Sequence, residues 1–286
     1  MRVRILGSAA GGGSPQWNCA CPACGAARRA GRQRTQDSVA VSSDGKAWYL
    51  LNASPDIRTQ IVATPSLTPG PGLRETPLRG VLLTTAELDH TVGLLSLREA
   101  TNLIVYATST VTEALAPIRQ LLNAYTPTSF RPFEPVLDGG LSVRSLTVGA
   151  KRPRYAAGRP GSDWVSALRI TSAQSSLVYA TCLPEWTDEF DEFLRGADEA
   201  LIDGTFATED ELPRTTGRPG SARSMGHLPI AASRERLAGH PHTRFRYSHL
   251  NNTNAATGPD IAEDGLTLGA PPGRSPRWSR PDRSAW

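Results

Sequence analysis

The sequence has no long hydrophobic run. Nowhere do about 18 apolar residues follow one another, so no membrane-spanning helix is expected. The opening Met-Arg-Val-Arg-Ile-Leu-Gly holds too few apolar side chains before its glycines for the core of a signal peptide. A cytoplasmic protein with reduced thiols is the expectation, which favours metal over disulfide chemistry for the four cysteines. Aromatics are sparse at 6%, and no basic stripe is interleaved with them, which argues against a nucleic-acid partner. The net charge of +4 does not restore that reading. Arg274, Arg277, Arg280 and Arg283 lie together near the end, opposed by Asp282 alone, and without them the chain is nearly neutral. There is no G-x-S-x-G elbow and no repeat. Gly7-Ser-Ala-Ala-Gly-Gly-Gly13 has neither the G-x-G-x-x-G spacing nor a P-loop lysine, so close backbone packing is its expected use.

What is present is an alternation of strand-like and helical segments in 286 residues, ample for a buried core. Strands are expected at 2–6, 38–42, 47–52, 78–84, 103–107, 141–149, 165–171, 177–181, 200–203 and 244–249. Helical spacing covers 92–101, 110–125 (with Pro117 inside it), 185–195 and 228–237. The class is α/β. No linker divides the chain, so residues 1–268 are expected to form one domain, with 150–163 a loop insertion. Residues 269–286 read as an Arg/Pro-rich tail, expected to be disordered.

Cys19, Cys21 and Cys24 fall within six residues, in a stretch expected to be a zinc-binding loop at 17–25. Ordinary disulfides would leave an odd sulfur, whereas thiolates this close can converge on zinc, which takes four donors in a tetrahedron. The fourth donor must come from elsewhere, with Cys182, a late His or an Asn as candidates. Such a closed site reads as a structural staple.

A second group of polar residues sits where strands end. Glu87, Asp89 and His90 follow the 78–84 run, Asp203 closes 200–203, His227 lies in a Ser-Met-Gly-His turn, and His249 follows the last strand. Asn52-Ala-Ser-Pro-Asp56 is another such end. Functional groups at several strand ends on one edge are how α/β layers build a site. Asp89 read alone serves equally as a helix cap. Two imidazoles and one carboxylate with open positions suit non-haem iron(II). His240 and His242 look incidental, and Cys182 reads equally as a buried thiol or a site-lining one.

These motifs resemble a known family. Leu6-Gly-Ser-Ala-Ala-Gly-Gly-Gly-Ser-Pro-Gln-Trp-Asn-Cys-Ala-Cys-Pro-Ala-Cys24, Arg34-Thr-Gln-Asp-Ser38, Leu51-Asn-Ala-Ser-Pro-Asp-Ile-Arg58, Asp203-Gly-Thr-Phe206, Met225-Gly-His227 and His249-Leu-Asn-Asn-Thr-Asn254 are similar to the PqqB family of pyrroloquinoline quinone biosynthesis. The likeness runs from residue 2 to about 268. It implies a four-layer αββα sandwich of the metallo-β-lactamase type, with a metal site at one edge of two sheets.

The superfamily signature His-x-His-x-Asp-His falls on Thr85-x-Glu87-x-Asp89-His90, so two of its four ligands are not histidine. The resemblance then implies a single active-site metal, Fe(II), on Asp89, His90 and His249. Asp203 would be a further ligand or an orienting carboxylate, His227 a general acid/base and Glu87 a supporting acid. It also implies zinc on Cys19, Cys21 and Cys24, with Asn252 completing the set. The implied activity is oxygenation of a tyrosine-derived peptide or amino acid by dioxygen, and a homodimer is compatible with it. A carrier role for the cofactor or its precursor towards the periplasm, and a metal-dependent hydrolase, remain the alternatives. One departure is visible. After Asn254 the family's further helical segment is missing, an omission expected to leave part of one sheet uncovered.

Overall fold

Tyr49 and Leu51 point to one side of their strand and Leu50 to the other, yet all three are buried. A strand covered on both faces belongs to a sheet with layers on either side. The same pattern recurs through the computed structural model, which describes residues 1–269. The Arg/Pro-rich tail beyond Gly269 lies outside the described residues.

In chain order, β1 (Arg2–Gly7), β2 (Ser38–Ser42), β3 (Trp48–Leu51), β4 (Leu78–Leu82), β5 (Ile104–Tyr106) and β6 (Ser129–Arg131) build the first sheet. The second sheet holds β7 (Val136–Leu137), β8 (Leu141–Gly149), β9 (Val165–Thr171), β10 (Ser176–Ala180), β11 (Glu199–Asp203) and β12 (Arg244–Ser248). β13 (Thr267–Leu268) returns to pair antiparallel with β1 at the edge of the first sheet. Strands β3 to β6 are parallel to one another, as are β10 to β12.

The helices are α1 (Pro22–Arg29), α2 (Ile57–Val62), α3 (Leu88–Thr91), α4 (Ser109–Ala114), α5 (Ala116–Asn123), α6 (Asp188–Leu194), α7 (Glu211–Thr216) and α8 (Ile230–Leu237). Three apolar layers hold the stack together. Val39, Tyr49 and Leu82 meet Leu168, Ile170 and Tyr179 between the sheets. Leu50, Val81 and Val105 pack outward on Ile57, Val111 and Leu122. Val178, Ala200 and Ile202 pack on Phe190, Leu194 and Leu237. Helix, sheet, sheet, helix is the αββα sandwich expected above.

Two helical expectations change in detail. The 110–125 segment is two helices rather than one, because Pro117 lacks an amide hydrogen and is accommodated only in the first turn of a new helix, α5. Residues Val92–Leu97 form a tight 3-10 helix, with Gly93 pressed against backbone. Among the described residues, no helix follows Asn254. Instead the Tyr247 amide donates to Asp260 O at 2.8 Å and Ala262 N donates to Tyr247 O at 2.8 Å. Buried Ile261 thus pairs along the edge of β12, in the stretch where the missing helix was expected to leave part of one sheet uncovered. Among the described residues, no helix is long and apolar enough to cross a membrane.

Candidate metal centre

The C-terminal ends of β3, β4, β10, β11 and β12 converge on one edge of the sandwich. There they deliver Asn52, the Thr84–His90 turn, Cys182, Asp203 and His249. They open onto a cavity of about 780 Å³ whose wall includes Glu87, Asp89, His90, Cys182, His227 and His249. Its volume is that of a small-molecule site. The 150–163 loop supplies Lys151, Arg152 and Arg154 to its rim.

Local backbone geometry aims these groups. The chain leaves β12 with His249 at φ +62°, a left-handed conformation that only strong tertiary packing sustains in a histidine. Asn52 does the same at φ +62°. Its side-chain oxygen accepts from Thr84 N at 2.9 Å, and its amide donates to Tyr179 Oη at 3.0 Å, tying both sheets together beneath the site. The glycine stretch packs closely, as expected: a Cβ on Gly11 would lie 3.1 Å from Asp89 Oδ2.

His90 is fully buried. Its Nδ1 lies 3.0 Å from Thr85 Oγ1, while its Nε2 has no hydrogen-bond partner among the described residues. A buried, unsatisfied ring nitrogen is costly unless something binds it. His249 Nε2 lies 3.3 Å from Asp89 Oδ2, and the two imidazole centroids are 5.0 Å apart.

The tautomer of His249 follows from its other side. Thr205 Oγ1 donates its single hydrogen to Asp203 Oδ1 at 2.7 Å, so it can only accept from His249 Nδ1, 2.9 Å away. In the neutral ring the Nε2 lone pair therefore faces a carboxylate. Only a proton or a cation between them makes that contact attractive. Burial works against a charged His249, yet the hydrogen bond to Asp89 outweighs it and raises the imidazole's pKa. Burial likewise opposes ionisation of Asp89, but His90 and His249 hold it well below the usual carboxylate range. Burial lowers the pKa of His90, keeping it neutral. At Glu87 burial, then Asp89, push the carboxyl up.

Asp203 is saturated. It accepts from Leu183 N at 2.8 Å, Thr205 N at 3.0 Å and Thr205 Oγ1, and lies 2.8 Å from His227 Nδ1. His227 stacks on His249 with centroids 5.5 Å apart. Two potential ligand groups result: His90, Cys182 and His249, and Asp203, His227 and His249, each with donor atoms within 4.8 Å of one another. His240 stands apart, on Asp191 at 3.1 Å.

The three clustered cysteines also meet, with sulfurs within 4.8 Å. Cys21 caps α1, accepting from Cys24 N at 3.5 Å, so Cys24 belongs to a helix rather than to a loop through residue 25. Asn252 closes on them: its main-chain oxygen is 3.7 Å from both Cys21 and Cys24 Sγ, and its side-chain amide is 3.3 Å from Cys24 Sγ. Burial pushes the Cys21 thiol up to about 11. Crowded sulfurs around an oxygen donor are what a soft cation would gather, binding them as thiolates.

Thr205 and Asp37 carry parts of this arrangement to which sequence reasoning gives no role; Thr85 reads there only as a replaced signature position, and Cys182 equally as buried or site-lining. Buried Asp37 accepts from Tyr179 Oη, from Thr181 Oγ1 at 3.1 Å and from Ser248 Oγ at 2.8 Å, joining the ends of β10 and β12. Position at a strand end was the available signal for Cys182. The threonines carried none, because a hydroxyl's partner is set by tertiary contact.

Comparison with known proteins agrees with this fold. The family model of the Beta-lactamase superfamily domain matches residues 47–250. The coenzyme PQQ synthesis protein B of Xanthomonas oryzae pv. oryzae is 36% identical, covering 94% of this chain and 99% of that protein. Its counterpart from Rhodopseudomonas palustris is 40% identical, covering 93% and 94%. The crystal structure of Zn(2+)-bound PqqB from Methylobacterium extorquens, 34% identical, superposes with a TM-score of 0.85 over 94% of this chain and 100% of that one. A diphosphatase of the PhnP family shares the fold, at 21% identity and a TM-score of 0.67. The chain belongs to the PqqB family of coenzyme PQQ synthesis proteins, within the beta-lactamase superfamily.

Proposed function

We propose that this chain acts in pyrroloquinoline quinone biosynthesis as a non-haem iron-dependent oxygenase that hydroxylates a tyrosine-derived peptide or amino-acid intermediate. The observation that carries the reading is the unpartnered Nε2 of buried His90, facing a cavity beside His249 and Asp89. Two neutral imidazoles and one carboxylate on one wall are the donor set of non-haem Fe(II) oxygenases. Bound there, Fe(II) would supply the dioxygen chemistry that side chains lack.

The chain's own groups divide the remaining work. Thr85 and Thr205 fix the rings of His90 and His249. Of the two roles open to Asp203, orientation is favoured, since its oxygens already hold four partners. It holds Nδ1 of His227 and leaves Nε2 of that ring to exchange a proton with a phenol in the cavity. Glu87, whose carboxyl is raised by burial, is a second proton carrier on the same wall. Lys151, Arg152 and Arg154 suit the carboxylates of an amino-acid-derived substrate. Cys19, Cys21, Cys24 and Asn252 complete a separate, closed zinc site that is structural.

Thr85 and Glu87, where the superfamily signature has imidazoles, speak against a two-zinc hydrolase. Protein purified without oxygen is expected to bind about one Fe(II) per chain beyond zinc, and to hydroxylate a phenolic intermediate when dioxygen is admitted. Full iron loading by an Asp89→Ala/His90→Ala double variant would overturn the assignment. Turnover with zinc alone and no dioxygen would mark a hydrolase. Cofactor binding indifferent to the edge metal would mark a carrier.

A further inference from the structure

We propose that Cys182 is a fourth protein donor to the edge metal, making its ligand set two imidazoles, a carboxylate and a thiolate. This inference rests on the metal-site reading above and adds a ligand to it. Three observations support it. The sulfur of Cys182 lies within 4.8 Å of ring nitrogens of both His90 and His249. His90 brings to the same cluster a buried Nε2 that no described residue satisfies. Cys182 also contributes to the cavity wall and is only partly exposed.

The residues on either side fix where the thiol sits. Thr181 Oγ1 donates to Asp37 at 3.1 Å, and Leu183 N donates to Asp203 at 2.8 Å. With both neighbours pinned to buried carboxylates, the Cys182 side chain is held at the mouth of β10 rather than left to choose its surroundings. Donor atoms around one tetrahedral ion at about 2.0–2.3 Å lie about 3.3–3.8 Å from one another, so a cluster whose atoms are within 4.8 Å closes onto an ion by shifts of about 1 Å.

The chemistry is metal-driven deprotonation. Burial, and then the nearby carboxylates of Asp203, Asp89 and Asp37, keep this thiol neutral without a cation. On binding, the S–H bond breaks, the sulfur keeps its electron pair for the metal and the proton leaves to solvent. No oxidant is required. A thiolate makes the site softer than the two-imidazole, one-carboxylate set, so it strengthens binding of cobalt and zinc in particular.

The test uses Co(II) as the probe, in full-length protein whose cysteine triad already carries zinc. Wild-type protein is expected to take up a further equivalent of cobalt and develop a near-ultraviolet thiolate-to-cobalt charge-transfer band. Cys182→Ser should still bind that cobalt, about tenfold or more weakly, and lack the band. Identical spectra and affinities for the two proteins would overturn the thiolate assignment while leaving the edge site standing. Failure of the wild type to bind cobalt beyond its zinc would overturn the metal-site reading itself, and the inference with it.

Discussion

The hydroxyl of Thr205 stands 2.9 Å from Nδ1 of His249 and gives its own hydrogen to Asp203. One hydroxyl thereby decides which nitrogen of His249 carries a lone pair into the cavity. Replacing Thr205 by valine keeps the shape and removes the relay. Metal affinity at the edge site should fall about 10–100-fold, as for other groups that orient a ligand. The stability cost should be about 1–3 kcal/mol for donors and acceptors left unmatched. Competition against a calibrated chelator measures the first and thermal unfolding the second. Unchanged affinity would mean the ring needs no such guide.

The two candidate metal sites share a strand exit. His249 faces the edge cavity, and Asn252, three residues on, closes over Cys21 and Cys24. Loss of the cysteine-bound ion should therefore be felt at both. Cys24→Ser is expected to lose one zinc per chain, to unfold several degrees lower, and to bind the edge metal more weakly. Asn252→Asp keeps an oxygen donor and should retain the zinc. Metal analysis with calorimetry checks both variants. An intact edge affinity in zinc-free Cys24→Ser would separate the sites.

Much of the fold was legible because strand patterns and turn residues report local preference. β1, β2, β8 and β9 lie where alternating or β-branched runs place them. Short β7 and β13 were not read, because two residues carry no periodicity and are strands only through their partners. Within the site, Asp89, His90, Asp203 and His249 were legible as charged or imidazole groups at strand ends, and His227 as an imidazole in a tight turn. Cys182 was ambiguous, since one thiol has no pattern, and its proximity to His90 comes from β4 and β10 lying in different sheets.

Gly93 fixes the height of the His90 turn. A Cβ there would fall 2.1 Å from Ser54 O and 2.6 Å from Ala53 O, both backbone atoms that cannot swing aside. Those atoms belong to the turn whose Ala53 N donates to His90 O at 2.7 Å. Gly93→Ala should cost about 3 kcal/mol, at the upper end for overpacking, and weaken edge-metal binding with it. Denaturant titration gives the first value. A loss below about 1 kcal/mol would mean the two turns slide apart easily.

Glu211 offers a pH signature outside the metal sites. Its carboxyl accepts from Ala207 N and from Thr253 Oγ1, both at 2.6 Å. Burial raises its pKa above the usual value. The folded state therefore holds this proton more tightly than the unfolded chain. The associated stability is full below the unfolded value of about 4.3 and is lost as pH rises through the folded one. Glu211→Gln is neutral at every pH; its amide oxygen can keep the bond from Ala207 N while its NH2 donates to Thr253 Oγ1, reversing that bond. Its melting temperature should exceed the wild type's near neutrality, and the gap should close on acidification to about pH 4. A gap that is constant with pH would place the charge in water.

His227 is the residue that best separates binding from chemistry. Its Nδ1 is held by Asp203 at 2.8 Å, and its ring forms part of the cavity wall beside His249. It is an imidazole on that wall that the metal reading does not use as a ligand. Glutamine at this position preserves a hydrogen bond to Asp203 and cannot exchange a proton near neutral pH. The His227→Gln variant should keep its iron and its KM within about twofold, while kcat falls about 10²–10⁴-fold, the usual contribution of a positioned acid/base. If kcat held and iron were lost, His227 would be a ligand, and the proton carrier would have to be sought at Glu87.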